Sequence, residues 1–320
     1  MQSATSAVSG QQQIISVGLL FPEGPVACAD GSVLFVEIER KTISRAWPDG
    51  SVDVVAEPGG GPNGLAFGPG GLLYVCNNGG FLFQMLDGVK RVRAGVPEGY
   101  AGGWIERIDL ATGKREVLYD RCGEHLLVGP NDLVFDQHGG FYFSDHGKRY
   151  PRYRMNGGLY YAKADGSAIV EVAYPLISPN GVGLSPDGAT VYVAETDTAR
   201  LWAFDLEAPG KAKRHLLSPN GGRLVIGLGG YQRFDSLAVD TQGNICVATL
   251  ATGCISVISP DGQLIRQVPT GDPMTTNICF GGADMRTAYV TLSGTGQLMK
   301  MEWPEPGLRL AFEGGSLDSR

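Results

Sequence analysis

The stretch SPNGVGLSPDGATVYVAET, residues 178–196, contains one complete structural unit. Asn180 opens a short apolar run, Pro186, Asp187 and Gly188 turn the chain, and a β-branched and aromatic run follows, which reads as strand, tight turn, strand. The unit recurs along the chain. Its first half returns as EGPVACADG from Glu23, PNGLAFGPGG from Pro62, PNDLVFDQHG from Pro130, FDSLAVDTQG from Phe234 and TNICFGGAD from Thr276. Its second half returns as VLFVEIE, LLYVCNN, GFYFSDH, NICVATL and TAYVTLS, each apolar enough to be buried in a stacked sheet. A polar residue opens every first strand, and it precedes the turn glycine by eight positions in five units: Glu23 to Gly31, Asn63 to Gly71, Asn131 to Gly139, Asn180 to Gly188 and Asp235 to Gly243. The sixth unit keeps the anchor, Asn277, and loosens the turn to GGADMR.

Outward from these pairs, third strands such as TISRAWPDG, WIERIDLATG, GLYYAKADG, RLWAFDLEAPG and CISVISPDG are followed by shorter fourth strands such as VDVVAE, REVLYD and LIRQVP. Four consecutive antiparallel strands repeated every 40 to 68 residues predict an all-β, six-bladed β-propeller with four-stranded blades around a central channel. The 48 glycines and 19 prolines suit that many turns, and 43% apolar residues suit one large shared core. The expected layout is a flexible segment over 1–13, one propeller domain over 14–310 and a tail over 311–320, with an end strand such as IISVGLL pairing with the last blade to close the ring.

A net charge of −7 argues against a nucleic-acid partner, which needs a basic face. No run approaches a membrane-spanning length and residues 1–13 lack the layout of a secretory signal, so a cytoplasmic protein without membrane contact is expected, a monomer or weak homo-oligomer. The six cysteines have no metal-binding spacing and read as reduced packing residues.

First strands of a propeller line its axis, so the anchors Glu23, Asn63, Asn131, Asn180, Asp235 and Asn277 are expected to converge at one end of the channel. Two carboxylates and four amides, without thiol or imidazole, suit a hard oxygen-seeking cation, calcium best. Without a cation the two carboxylates would repel and one would stay protonated. The plainer alternative is that these residues cap strand ends or bind channel water.

The segments PEGP around Glu23, GPNDLVFD around Asn131, SPNGVGLSPDG around Asn180 and FDSLAVD around Asp235, in this order, resemble the regucalcin, gluconolactonase and luciferin-regenerating enzyme family over about 14–308. The resemblance implies one divalent metal at the channel mouth, Ca²⁺ foremost with Zn²⁺, Mg²⁺ or Mn²⁺ as alternatives, held by Glu23, Asn131, Asn180 and Asp235. It also implies hydrolysis of a small lactone or ester, with Asp235 activating the attacking water. A phosphotriesterase-like hydrolase and a non-enzymatic, ligand- or protein-binding propeller with a structural ion are the alternatives.

Two insertions after second strands, 79–104 and 146–158, are expected over the metal, because those connections emerge on the face where first strands begin. The second is cationic and aromatic, suited to an acid or the carboxylate product of a lactone. Asn63, Trp104, His146, Arg149, Tyr150 and Arg154 are accordingly the candidate substrate-binding residues, His146 also as a proton shuttle, against the alternative of a solvated loop. Ser144 and Ser236 lie in no nucleophile elbow. Gly129 stands where animal members of the family carry an arginine that holds a sugar-acid lactone, which leaves room for a more apolar or aromatic substrate beside Phe81, Phe83, Trp104 and Tyr150.

Overall fold

The computed structural model describes residues 10–312. Of the terminal segments expected to lie outside the propeller, residues 1–9 and 313–320 fall outside the described ones. Six antiparallel sheets are arranged as blades. Blade four shows the plan: Pro179–Leu184 lines the axis, Thr190–Glu195 and Arg200–Ala208 follow outward, and Arg223–Gly227 forms the rim. Blade two interrupts it between Leu73–Asn77 and Trp104–Asp109, where an extra hairpin, Leu82–Leu86 with Val89–Arg93, is inserted. The last blade is completed by the first strand of the chain, Gln13–Val17, pairing with Gln297–Glu302. That pairing closes the ring by joining the two ends of the propeller in one sheet.

The apolar residues form clusters in the seams between neighbouring blades. One joins Phe21, Val36 and Ile43 of blade one to Leu65, Phe67 and Val75 of blade two, another joins Tyr74 and Ile105 to Phe135, Phe141 and Phe143 of blade three, and four more fill the remaining seams. Each fully buried large side chain contributes on the order of 1.5–3 kcal/mol. A blade shares both its faces with neighbours, which explains why the second strands are apolar throughout and do not alternate. All six cysteines are unbridged, and Cys76 and Cys246 lie deep in these seams. Among the described residues no helix is long and apolar enough to cross a membrane.

Two features place the channel-lining residues. In every blade the register between first and second strands slips at the anchor, as between Glu23 and Val26 or Pro179 and Val182. A bulge re-aims a side chain, and here it falls where six first strands crowd together. Their closeness explains the glycine that follows the anchor in blades one, two and four: a Cβ on Gly64 would stand 2.6 Å from the carbonyl oxygen of Asn131, and one on Gly181 2.5 Å from the amide nitrogen of Leu237. The second feature is a polar residue that ends four of the second strands and takes up backbone N–H groups. Leu20 N–H donates to Glu37 (2.7 Å), Gly61 N–H to Asn77 (2.8 Å), Gly129 N–H to Asp145 (2.7 Å) and Ile177 N–H to Glu195 (2.7 Å). These side chains tie the upper loops to the blades.

Candidate active site

A cavity of about 280 Å³ opens on the upper face, with Glu23, Asn63, Asn131, Asn180 and Asp235 on its floor. All five are buried. The sixth anchor, Asn277, lies just beneath and donates through Nδ2 to Oε2 of Glu23 at 2.8 Å. Gly24 N–H donates to the same oxygen at 2.8 Å, so the Glu23 carboxylate is held from one side. Asn180 is fixed three ways: Nδ2 donates to the Thr196 hydroxyl at 3.1 Å, Oδ1 accepts from Ser236 at 3.1 Å, and its backbone carbonyl accepts from Ser144 at 2.5 Å. Ser144 and Ser236 are thereby spent on orienting Asn180. Asn131 Oδ1 is buried without a hydrogen-bond partner among the described residues.

The electrostatics of this floor are unbalanced. Burial pushes the Glu23 carboxyl up to about 7, against the hydrogen bonds from Asn277 and Gly24. Burial, reinforced by the Glu23 charge, raises Asp235 well above the usual carboxylate range. Asp132, next to the anchor of blade three but in the wall of the lower cavity, is likewise pushed up to about 7 by burial and by Glu23. Two buried carboxyl groups, Glu23 and Asp235, and an unpartnered amide oxygen on one floor suit a cation, which would neutralise the acids and take the free lone pair. Among the described residues no three His, Cys, Asp or Glu side chains gather into a metal cage, and the donors on this floor are instead carboxylates mixed with amides. That oxygen-only set fits a hard divalent ion.

Both insertions reach the cavity. Phe81, Gln84, Arg91, Val92, Arg93 and Gly95 come from the first, and His146, Lys148 and Arg149 from the second. His146 is half-buried, its ring 6.4 Å from Phe81, and desolvation pushes its imidazole down to about 4, so it stands neutral at physiological pH on the cavity wall. Lys148 is buried, donates to Gly80 O at 2.9 Å and lies 4.0 Å over the Phe81 ring. Burial pushes its ammonium down to about 7.

The structure does not bring Trp104, Tyr150 or Arg154 to the cavity wall. Trp104 donates from its indole nitrogen to Glu106 at 2.8 Å, Tyr150 stacks on Tyr153 with ring centroids 4.5 Å apart, and Arg154 pairs with Asp197. Asp197 itself lines the cavity, held also by Arg233. Sequence reasoning passed over Asp132, Asp197, Arg233, Arg91 and Arg93. Only the first had a signal, its place beside an anchor.

The lower end of the channel differs. It holds a mostly apolar cavity of about 110 Å³ lined by Leu308, Leu310, Ala311 and Phe312, with Phe312 edge-on to Phe135 at 5.3 Å and with Asp132 and Asn277 also in its wall.

A single-chain ring of six four-stranded blades, with an acid-and-amide floor at one mouth, defines the class. The chain belongs to the SMP-30/Gluconolactonase/LRE-like family, whose profile matches residues 21–294. It is similar to the gluconolactonase of Zymomonas mobilis, 28% identical, with 86% of this chain and 77% of that protein covered. In three dimensions it resembles a gluconolactonase from Xanthomonas campestris (TM-score 0.72, 23% identity, covering 95% and 94% of the two chains). It also resembles the calcium-binding protein regucalcin from Agrobacterium tumefaciens (TM-score 0.69, 19% identity, covering 94% and 98%).

Proposed function

We propose that this protein hydrolyses small lactones at the upper cavity, with one calcium ion held by Glu23, Asn131, Asn180 and Asp235. The observation that carries the reading is Asn131 Oδ1, buried and unpartnered on the same floor as two carboxyl groups whose protonation burial favours. The family's named gluconolactonases support the substrate class. When bound, the ion supplies Lewis-acid polarisation of the lactone carbonyl, worth several kcal/mol in reactions of this kind.

The chain's own residues do the rest. Asn277 and the Gly24 amide hold Glu23, and Ser236 with Thr196 holds Asn180, so the floor is set before substrate arrives. Asp235 takes a proton from the attacking water as the new C–O bond forms, and returns it to the ring oxygen as the acyl C–O bond breaks, leaving a hydroxy acid. Phe81 and the neutral His146 limit water on one wall.

Exhaustive chelation followed by a panel of lactones tests the proposal. The expected result is loss of activity that added Ca²⁺ restores. Full activity after metal removal rejects the metal's role. Failure of every lactone, with calcium raising only the melting temperature, identifies a binding propeller.

A further inference from the structure

The hairpin Leu82–Leu86 and Val89–Arg93 lies across the cavity as a roof held at three points. Toward blade six, Lys90 N–H donates to Gly294 O at 2.9 Å. Over blade one, Phe83 packs on Phe21 with centroids 5.0 Å apart, and the Lys90 ammonium pairs with Glu39. Toward blade three, Gly95 N–H donates to Arg149 O at 2.9 Å. The roof thus holds Arg91, Arg93 and Arg149 at the cavity in fixed register.

The charge of this roof is uncompensated. Among the described residues no carboxylate pairs with Arg91, Arg93 or Arg149, whereas Arg233 on the same wall is matched by Asp197. The remaining cavity acids, Glu23 and Asp235, lie on the floor, where the proposed cation neutralises them. All three side chains are exposed at the rim of the cavity, and three unpaired guanidinium groups around one small opening stand out on a chain whose net charge is −7. Guanidinium forks match the paired oxygens of carboxylate and phosphate, and a concave wall of one sign concentrates ligands of the other.

We propose that Arg91, Arg93 and Arg149 select lactones that carry a second, anionic group, a carboxylate or phosphate on the ring's side chain, held at the roof while the lactone carbonyl faces the floor. This inference rests on the lactonase reading and narrows its substrate class.

Matched pairs test it: galactaro-1,4-lactone against galactono-1,4-lactone, and 6-phosphoglucono-1,5-lactone against glucono-1,5-lactone. The charged member is expected to have the larger kcat/KM by about 10-fold or more at low ionic strength, with the gap narrowing as salt is raised. The two pairs distinguish a carboxylate site from a phosphate site. In the double variant Arg91→Gln, Arg93→Gln the ratio should fall toward one. Calorimetric titration of the calcium-loaded protein with galactarate and galactonate gives a readout independent of turnover, and galactarate should bind more tightly. Turnover of both members without preference, or a preference unchanged in the double variant, overturns the inference and leaves lactone hydrolysis standing. No turnover of any lactone, together with equal binding of the two acids, removes both.

Discussion

The floor and the roof of the upper cavity are built by opposite means. The floor is periodic: one residue from each of five blades lines it, each set on a bulged first strand, and the sixth anchor braces Glu23 from below. The roof is aperiodic, a hairpin inserted in blade two and a loop from blade three, anchored by a few hydrogen bonds and ring contacts. The floor is rigid because moving one anchor moves a strand packed between two blades. Apart from Phe81, Phe83 and Val92, which pack on the seam between blades one and two, the roof's side chains can change without disturbing the blades. Chemistry common to a family belongs on the first kind of surface, and the choice of substrate on the second.

The sharpest break of that contrast is on the floor. Glu23→Gln and Asp235→Asn should each lower kcat/KM by about 100-fold or more and weaken calcium binding, while circular dichroism and the melting profile in excess calcium stay near those of the wild type. A next test separates floor packing from roof packing. Gly181→Ala forces a Cβ to 2.5 Å from the Leu237 amide, and should cost about 1–3 kcal/mol by denaturant titration, with weaker calcium binding through the neighbouring Asn180. In the roof, Gly88→Ala meets nothing within 4 Å and should cost only about 1 kcal/mol, from its left-handed φ of 78°, and leave calcium affinity unchanged. Equal loss of calcium affinity in the two variants would erase the distinction.

The smallest effect expected is a pH dependence at Lys148, where the second insertion meets the first. Burial pushes Lys148 down to about 7, below its ordinary value of 10.5. Between those values the unfolded chain binds the extra proton, so folded stability gains as pH rises through that window, while below about 7 both states are protonated and the difference is flat. Compared with Lys148→Met, the wild type should therefore gain on the order of 1 kcal/mol between pH 6 and 9, measured by denaturation midpoints. A constant gap between the two would remove this account of Lys148.

The repeat was legible because it is made by local chemistry. Anchor, apolar run and turn glycine recur at a fixed spacing that identified Glu23, Asn63, Asn131, Asn180 and Asp235 together, and Asn277 followed from its place at the head of the sixth apolar run. The position of the insertion 79–104 over the channel mouth was legible as well, from its place after a second strand, but its hairpin was not singled out, although Asp87 and Gly88, both at positive φ between Leu86 and Val89, are a hairpin signal in their own right. Nothing local says which side chains of such a hairpin meet the cavity, so Arg91 and Arg93 carried no signal. Trp104 and Tyr150 are instead engaged by partners nearby in sequence, Glu106 and Tyr153.

By itself the sequence determined the number of blades, their strand order and the set of oxygen donors available, because these follow from period and residue type. The structure adds a second polar set, Glu37, Asn77, Asp145 and Glu195, at the ends of second strands. The first set is turned by its bulges into a channel where Asn277 meets Glu23 across 254 residues, and the second meets backbone N–H groups of the adjoining loops. The bonds of the second set span only 16 to 18 residues and form beside a single blade, whereas the Asn277–Glu23 contact needs the first and last blades side by side, which only the closed ring provides.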